Sequence, residues 1–236
     1  MYTAYRVELK PSGSSETYRG NDQNNMSKSY KLTYFDARGR GEFIRLIFNS
    51  KNIKFEDNRV KQPDWPALKP KTPMGHLPVL QVGNVTLSES ITVARFAANE
   101  AGIAGKTILE KAQADMIVES LTELITAVFN AALSAGRPDK VPAALAAVIA
   151  KEGKTSLGNV EKCFVANNPG GSFLVGKEMT WADICIFNVM NCLSGFGQDA
   201  EKILNENSPK LLSIYKCVAE NPNIANWVKT RPETPF

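Results

Sequence analysis

The 236-residue sequence predicts an α/β unit over residues 27–104 followed by an all-α unit over residues 105–236. Three observations carry this expectation. Strand-like alternation is confined to the segment before Gly102. Helical periodicity continues alone beyond it. A proline-rich stretch interrupts the first unit without ending it.

Tyr30 to Phe35 alternates as a half-buried strand does. After the Asp36-Ala-Arg-Gly-Arg-Gly41 turn, Phe43, Ile44, Ile47 and Phe48 recur at helical spacing. Phe55 to Val60 reads as a second strand. Five prolines between Pro63 and Pro78 leave room only for a short helix and irregular loop, because proline lacks an N–H donor and restricts the residue before it. Leu77–Val82 and Asn84–Leu87 then form a hairpin around Gly83, and Ser88-Glu89-Ser90 opens a helix running to about Ala101.

The second unit begins after a junction at residues 102–107. Ile117, Leu121, Leu124, Ile125, Val128 and Ala132 mark a long amphipathic helix. Val141 to Val165 supports another, weakened by Gly153 and Gly158. Thr180 to Leu193 is apolar nearly all round, which implies a central, fully buried helix. Thr180 with Asp183 forms the Asp version of a capping box, and Met179 is placed to staple to Ile184. Shorter helices are expected near 209–220 and 224–230.

Composition bounds the function classes. Hydrophobic residues make up 43% and charged residues 22%, which is globular composition. The 28 Lys and Arg against 24 Asp and Glu are scattered, so no nucleic-acid partner is expected. No unbroken apolar run approaches eighteen residues, so no membrane span is expected. Cys163, Cys185, Cys192 and Cys217 form no CxxC pair, and His76 is the only histidine, so no metal site is expected. Reduced, buried cysteines suit a cytoplasmic setting. Residues 1–26 are polar, with three basic and three acidic side chains and no apolar signal core; they read as a flexible extension, with Met26 as an alternative start.

Five segments together resemble a cytosolic glutathione transferase: Tyr30-Lys-Leu-Thr-Tyr-Phe-Asp-Ala-Arg-Gly-Arg-Gly-Glu42, Gln62-Pro-Asp-Trp-Pro66, Gly75-His-Leu-Pro-Val79, Ser88-Glu-Ser90 and Thr180-Trp-Ala-Asp183. The first two resemble the sigma class, whose members include prostaglandin D synthases, helminth transferases and lens S-crystallins. The resemblance spans Tyr30 to Pro232. It implies a thioredoxin-like N-terminal domain, a C-terminal helical bundle domain, a homodimer, and glutathione as co-substrate without a metal.

The chemistry of these residues suits that co-substrate. Glutathione carries two carboxylates, an ammonium and a thiol, and a free thiol with a pKa of about 8.5 is only a few per cent ionised at pH 7. The resemblance makes Tyr34 catalytic: a neutral phenol donating one hydrogen bond favours the anionic sulfur. It makes Arg40 the electrostatic companion. Taken alone, a strand-end tyrosine is a packing residue, and Arg38-Gly-Arg40-Gly is a single RGG-like copy without the repetition that RNA binding uses.

The remaining site residues follow from the same resemblance. Trp65 and Lys69 would bind the glycine carboxylate. Gly75 belongs to the segment before a cis Leu77–Pro78 bond, where the Leu77 backbone would pair strand-like with the cysteinyl part. Ser90 would bind the γ-glutamyl carboxylate at a helix N-terminus, with Glu89 holding the same end or its ammonium. Glu123, one turn from Glu119, would reach the partner subunit's glutathione. His76 reads as a partly exposed loop histidine.

The electrophile cleft is expected from the turn after Tyr34, Phe129–Asn130 and Gly195-Phe-Gly197. By the resemblance, Asn130 stands where the prostaglandin synthases of the class have Trp, and Val189 lies near the position where they have Cys. Conjugation of hydrophobic electrophiles is therefore the expected activity. Prostaglandin H isomerisation and a non-catalytic carrier role are the alternatives.

Overall fold

A computed structural model describes residues 29–234 of the chain. The extension expected over residues 1–26 lies outside the described residues. The first strand, β1 (Tyr30–Phe35), buries Tyr30 and Leu32. A single 3-10 turn, Gly39–Gly41, leads into α1 (Glu42–Ser50), and β2 (Glu56–Val60) follows. The proline-rich stretch holds only the four-residue α2 (Trp65–Leu68) between two 3-10 turns. β3 (Val79–Val82) and β4 (Val85–Ser88) make the hairpin, and Gly83 turns it at φ 56°. α3 (Ser90–Glu100) completes the unit.

These strands form one sheet in the order β2-β1-β3-β4. β1 runs parallel to β2 and antiparallel to β3, with Tyr34 opposite Arg59 in register. α1 and α3 lie against each other, and the apolar stripe of α1 is buried. Tyr34 thus lies near the C-terminal end of an inner strand, where the chain turns into α1.

The second unit starts with α4 (Ile108–Ser134), whose N-terminus carries a full capping box between Thr107 and Glu110. That Thr-x-x-Glu signal was present in the sequence and was not read. By length and composition α4 is the one helix among the described residues able to cross a membrane. The expectation based on unbroken apolar runs did not see this. Glu119 and Glu123 interrupt the run, and Ala114, Ile117, Val118, Leu121, Leu124 and Val128 form a buried stripe, the pattern of a bundle helix.

α5 (Val141–Val148) and α6 (Lys154–Asn167) are joined by a π-helical turn, Ile149–Gly153, where the sequence predicts one helix weakened by glycine. α7 (Trp181–Gly195) is the buried central helix. Its capping box is present: Asp183 accepts from Thr180 N–H at 2.7 Å and from Thr180 Oγ1 at 2.9 Å. Asp183 Oδ1 also accepts from Leu174 N–H at 2.7 Å, which ties the preceding loop to the helix.

α8 (Ala200–Asn207) was missed by the sequence reading, although Asp199 caps it by accepting from Lys202 N–H at 3.0 Å. α9 (Pro209–Ala219) and α10 (Pro222–Thr230) end the described chain. The two units share one core, in which Phe43 of α1 stacks on the fully buried Trp181 of α7 at 5.9 Å. All four cysteines are free thiols, and Cys185 is buried.

Candidate active site

Tyr34 is the penultimate residue of β1, with its ring packed on the turn that follows. A Cβ at Gly39 would stand 2.6 Å from Tyr34 Oη, and one at Gly41 would stand 2.7 Å from Cδ1. Only hydrogen in place of a side chain lets the turn close over the ring. At Gly39 the backbone also adopts φ 40°, which L-residues rarely take. In this turn the Arg40 N–H donates to Tyr34 Oη at 3.0 Å. The phenol oxygen is thus an acceptor from the protein, and its own proton remains to be donated.

Burial pushes the Tyr34 phenol above its ordinary value, while the Arg40 N–H and the charges of Arg40 and Arg45 pull the other way. The net direction keeps the phenol protonated at neutral pH, as a hydrogen-bond donor requires. The Arg40 guanidinium lies toward α4, with Nη2 3.4 Å from Thr126 Oγ1. The sequence reading named Arg40 for its charge and did not foresee the contact of its main-chain N–H with Tyr34.

Arg45 and Glu42 were not singled out from the sequence. Both are buried, Arg45 completely. Arg45 Nη1 donates to Ala37 O at 2.8 Å and to Arg38 O at 3.4 Å, and Nε donates to Asp57 at 2.9 Å. Its guanidinium also stands 5.8 Å from the centre of the Tyr34 ring. An i,i+3 Glu–Arg pair on a helix is an ordinary surface signal. Nothing local in the sequence marks this one as internal.

Of the other expected residues, Trp65 and Leu77 pack with Tyr34. Trp65 meets Phe35 edge-on at 5.4 Å, and Tyr34, Trp65 and Leu77 share one small apolar cluster with Val60 and Val79. Leu77–Pro78 is cis. Lys69 is exposed and lies near Gly75, where a Cβ would meet its Cε at 3.8 Å. Glu89, at φ 71°, precedes α3, whose first N–H groups take no side-chain cap. A carboxylate fits such a helix start. His76 Nε2 lies 3.2 Å from Glu89 Oε1, each side chain about half exposed.

Ser90 shares a small cavity of about 20 Å³ with Gly39 and Arg40. Glu119 is held by Arg95 at 2.7 Å, whereas Glu123 is exposed and makes no ion pair with a described residue. A larger cleft of about 840 Å³ opens beside Tyr34. Its walls include Tyr34, Arg40, Phe129, Asn130, Gly195 and Phe196, which come from the three segments expected. Gly136, Arg137 and Pro138 after α4, with Val141 and Pro142 at the start of α5, close a further side that the sequence reading did not foresee. Val189 is fully buried within α7 and does not line the cleft.

Comparison with known proteins bears on this arrangement. The glutathione S-transferase N-terminal domain model matches residues 30–99, and the C-terminal domain model matches residues 122–231. Glutathione S-transferase 1 of Ascaris suum is 39% identical over 88% of this chain and 98% of its own length. This chain belongs to the glutathione transferase family.

Within that family its relatives are sigma-like. Human hematopoietic prostaglandin D synthase is 33% identical over 87% of this chain and 98% of its own length. The crystal structure of the glutathione S-transferase from Ascaris lumbricoides superposes with a TM-score of 0.75 at 38% identity, covering 88% of this chain and all of that one. Rat hPGDS complexed with a quinoline gives a TM-score of 0.75 at 31% identity, again covering 88% of this chain and all of the other. The transferase fold, with a thioredoxin-like sheet domain and a helical C-terminal domain, is that of this chain.

Proposed function

We propose that this transferase activates glutathione through Tyr34 and adds its thiolate to hydrophobic electrophiles held in the adjoining cleft. The observation that carries the reading is the Arg40 N–H donated to Tyr34 Oη, which leaves the phenolic proton for the sulfur. The thiol loses its proton to solvent, the sulfur lone pair forms the new bond to the electrophilic carbon, and the leaving group departs with the electrons it held. The protein contributes positioning and electrostatics, since the nucleophile belongs to the bound peptide.

In this reading Trp65 and Lys69 hold the glycine carboxylate, and Gly75, Leu77 and Pro78 form the backbone edge for the cysteinyl part. Ser90, with Glu89, binds the γ-glutamyl end. Glu123 completes the site of the partner subunit in a homodimer. A reducing cytoplasm is the setting. The apolar cleft walls support a broad electrophile range. Asn130 on the cleft wall favours conjugation over prostaglandin isomerisation.

The test is retention on immobilised glutathione combined with turnover of a chloronitrobenzene. Retention with turnover is expected. Retention without turnover would favour a carrier, and dominant conversion of prostaglandin H2 would overturn the assignment of substrate.

A further inference from the structure

The C-terminal helix reaches the active-site turn through one buried carboxylate. Glu42 is only 3% exposed, and a carboxylate so placed is stable only if its oxygens are paired. Its Oε1 accepts from Trp227 Nε1 at 2.9 Å and from Arg231 Nη1 at 2.8 Å, both supplied from α10 and its end. Its Oε2 faces Arg45 Nη1 at 3.4 Å. That same nitrogen donates to the carbonyl of Ala37, and Arg45 is otherwise anchored on Asp57. Glu42 N–H in turn donates to Arg38 O at 2.9 Å.

From these contacts we infer that Trp227 and Arg231 are positioning residues for thiolate formation, acting through Glu42 and Arg45 to hold the turn that presents the Arg40 N–H to Tyr34. This rests on the proposed role of Tyr34. The chain of contacts is continuous: α10 holds Glu42, Glu42 and Arg45 hold the carbonyls of residues 37 and 38, and those carbonyls fix the turn two residues before Arg40. If Oε1 loses a donor, the carboxylate draws on Arg45 instead, because a buried charge takes whatever partner is within reach. Arg45 then loosens its hold on Ala37 O. The Arg40 N–H moves off Tyr34 Oη, and the phenol no longer points its proton at one fixed place.

A second anchor of α10 provides the control. Asn223 Nδ2 donates to Ser50 O at 3.2 Å, which docks the start of α10 on the far end of α1, away from the turn. Loss of that bond loosens the helix without touching Glu42.

The experiment compares Trp227→Phe, Arg231→Met, Arg231→Lys and Asn223→Ala with the parent. The thiolate of bound glutathione is titrated by its ultraviolet absorbance, and kcat and KM are measured with a chloronitrobenzene. Trp227→Phe keeps an aromatic ring at this partly buried position while removing the N–H donor, so it remains informative even where Arg231→Met lowers yield. The expected result is a rise of about half a unit in the bound thiol's apparent pKa for Trp227→Phe and Arg231→Met, which is about a threefold loss of thiolate below it. KM for glutathione should stay within about twofold. Arg231→Lys should restore most of the difference, and Asn223→Ala should lower the melting temperature while leaving the titration unmoved.

The inference is overturned if the titration of Trp227→Phe and Arg231→Met matches the parent. It is equally overturned if Asn223→Ala shifts it as much as they do. A parent protein that binds glutathione without ionising it would instead overturn the role given to Tyr34.

Discussion

In the proposed chemistry the deciding atom is Tyr34 Oη, and its surroundings suit a tyrosine that serves as a donor. Burial disfavours the phenolate, and the Arg40 N–H occupies the oxygen from the protein side. Tyr34→Phe should therefore raise the bound thiol's pKa toward the free value and lower kcat/KM at pH 6.5 by about 10- to 100-fold, the worth of one hydrogen bond to a charged sulfur. KM for glutathione should change little. The pH–rate profile checks the sign: with the phenol the activity is present well below the free thiol's pKa, and without it the rise moves to higher pH. Gly39→Ala should act on the same atom indirectly. It places a Cβ within 2.6 Å of Oη at a left-handed φ, so activity should fall at least about tenfold, with a stability loss of about 1–2 kcal/mol in urea melts. Tyr34 and the glycines around it were legible because their local motif is dense. Glu42 and Arg45 were not, because the partners that mark them as internal are set by the fold: Trp227 and Arg231 for Glu42, and Asp57 with two turn carbonyls for Arg45.

Among the elements, α7 depends most on a single acid. Asp183 accepts from the main chain of two segments, Leu174 and Thr180, and burial pushes its carboxyl up to about 6 despite those bonds. Asp183→Ala should cost about 2–4 kcal/mol, read from denaturant unfolding, because it leaves two buried N–H groups unpaired. The pH dependence has a definite sign. The folded protein holds this proton more tightly than the unfolded chain does, so the group's contribution is fully present below the ordinary carboxylate value and is lost as pH rises through about 6. Asp183→Asn should lack that downward limb, and the gap between it and the parent should narrow from pH 4.5 to pH 7.5. The capping box of α7 was readable from Thr-x-x-Asp alone, and the equivalent Thr107–Glu110 box of α4 could have been. α8 was missed because its apolar set, Ala200, Ile203 and Leu204, spans barely more than one turn; the Asp199 cap was its only strong signal.

At the scale of the molecule, the expected homodimer gives one further prediction. Glu119 is occupied by Arg95, so Glu123 is the acid left to reach outward. Glu123→Ala should raise KM for glutathione about two- to fivefold, with kcat and the sedimentation coefficient of the dimer unchanged. An effect on kcat alone would argue against the proposed role. The sequence by itself determined the α/β and helical units, the strand that carries Tyr34 and the family, because alternation, helical period and short glycine motifs are written in neighbouring residues. Tertiary structure alone decided which polar side chains are internal. It buried a Glu–Arg pair of surface appearance and tied its Arg45 to the carbonyls of Ala37 and Arg38, and it closed the cleft with the end of the α4–α5 connection and the start of α5. Burial is set by what the rest of the chain packs on top, and no local window contains that information.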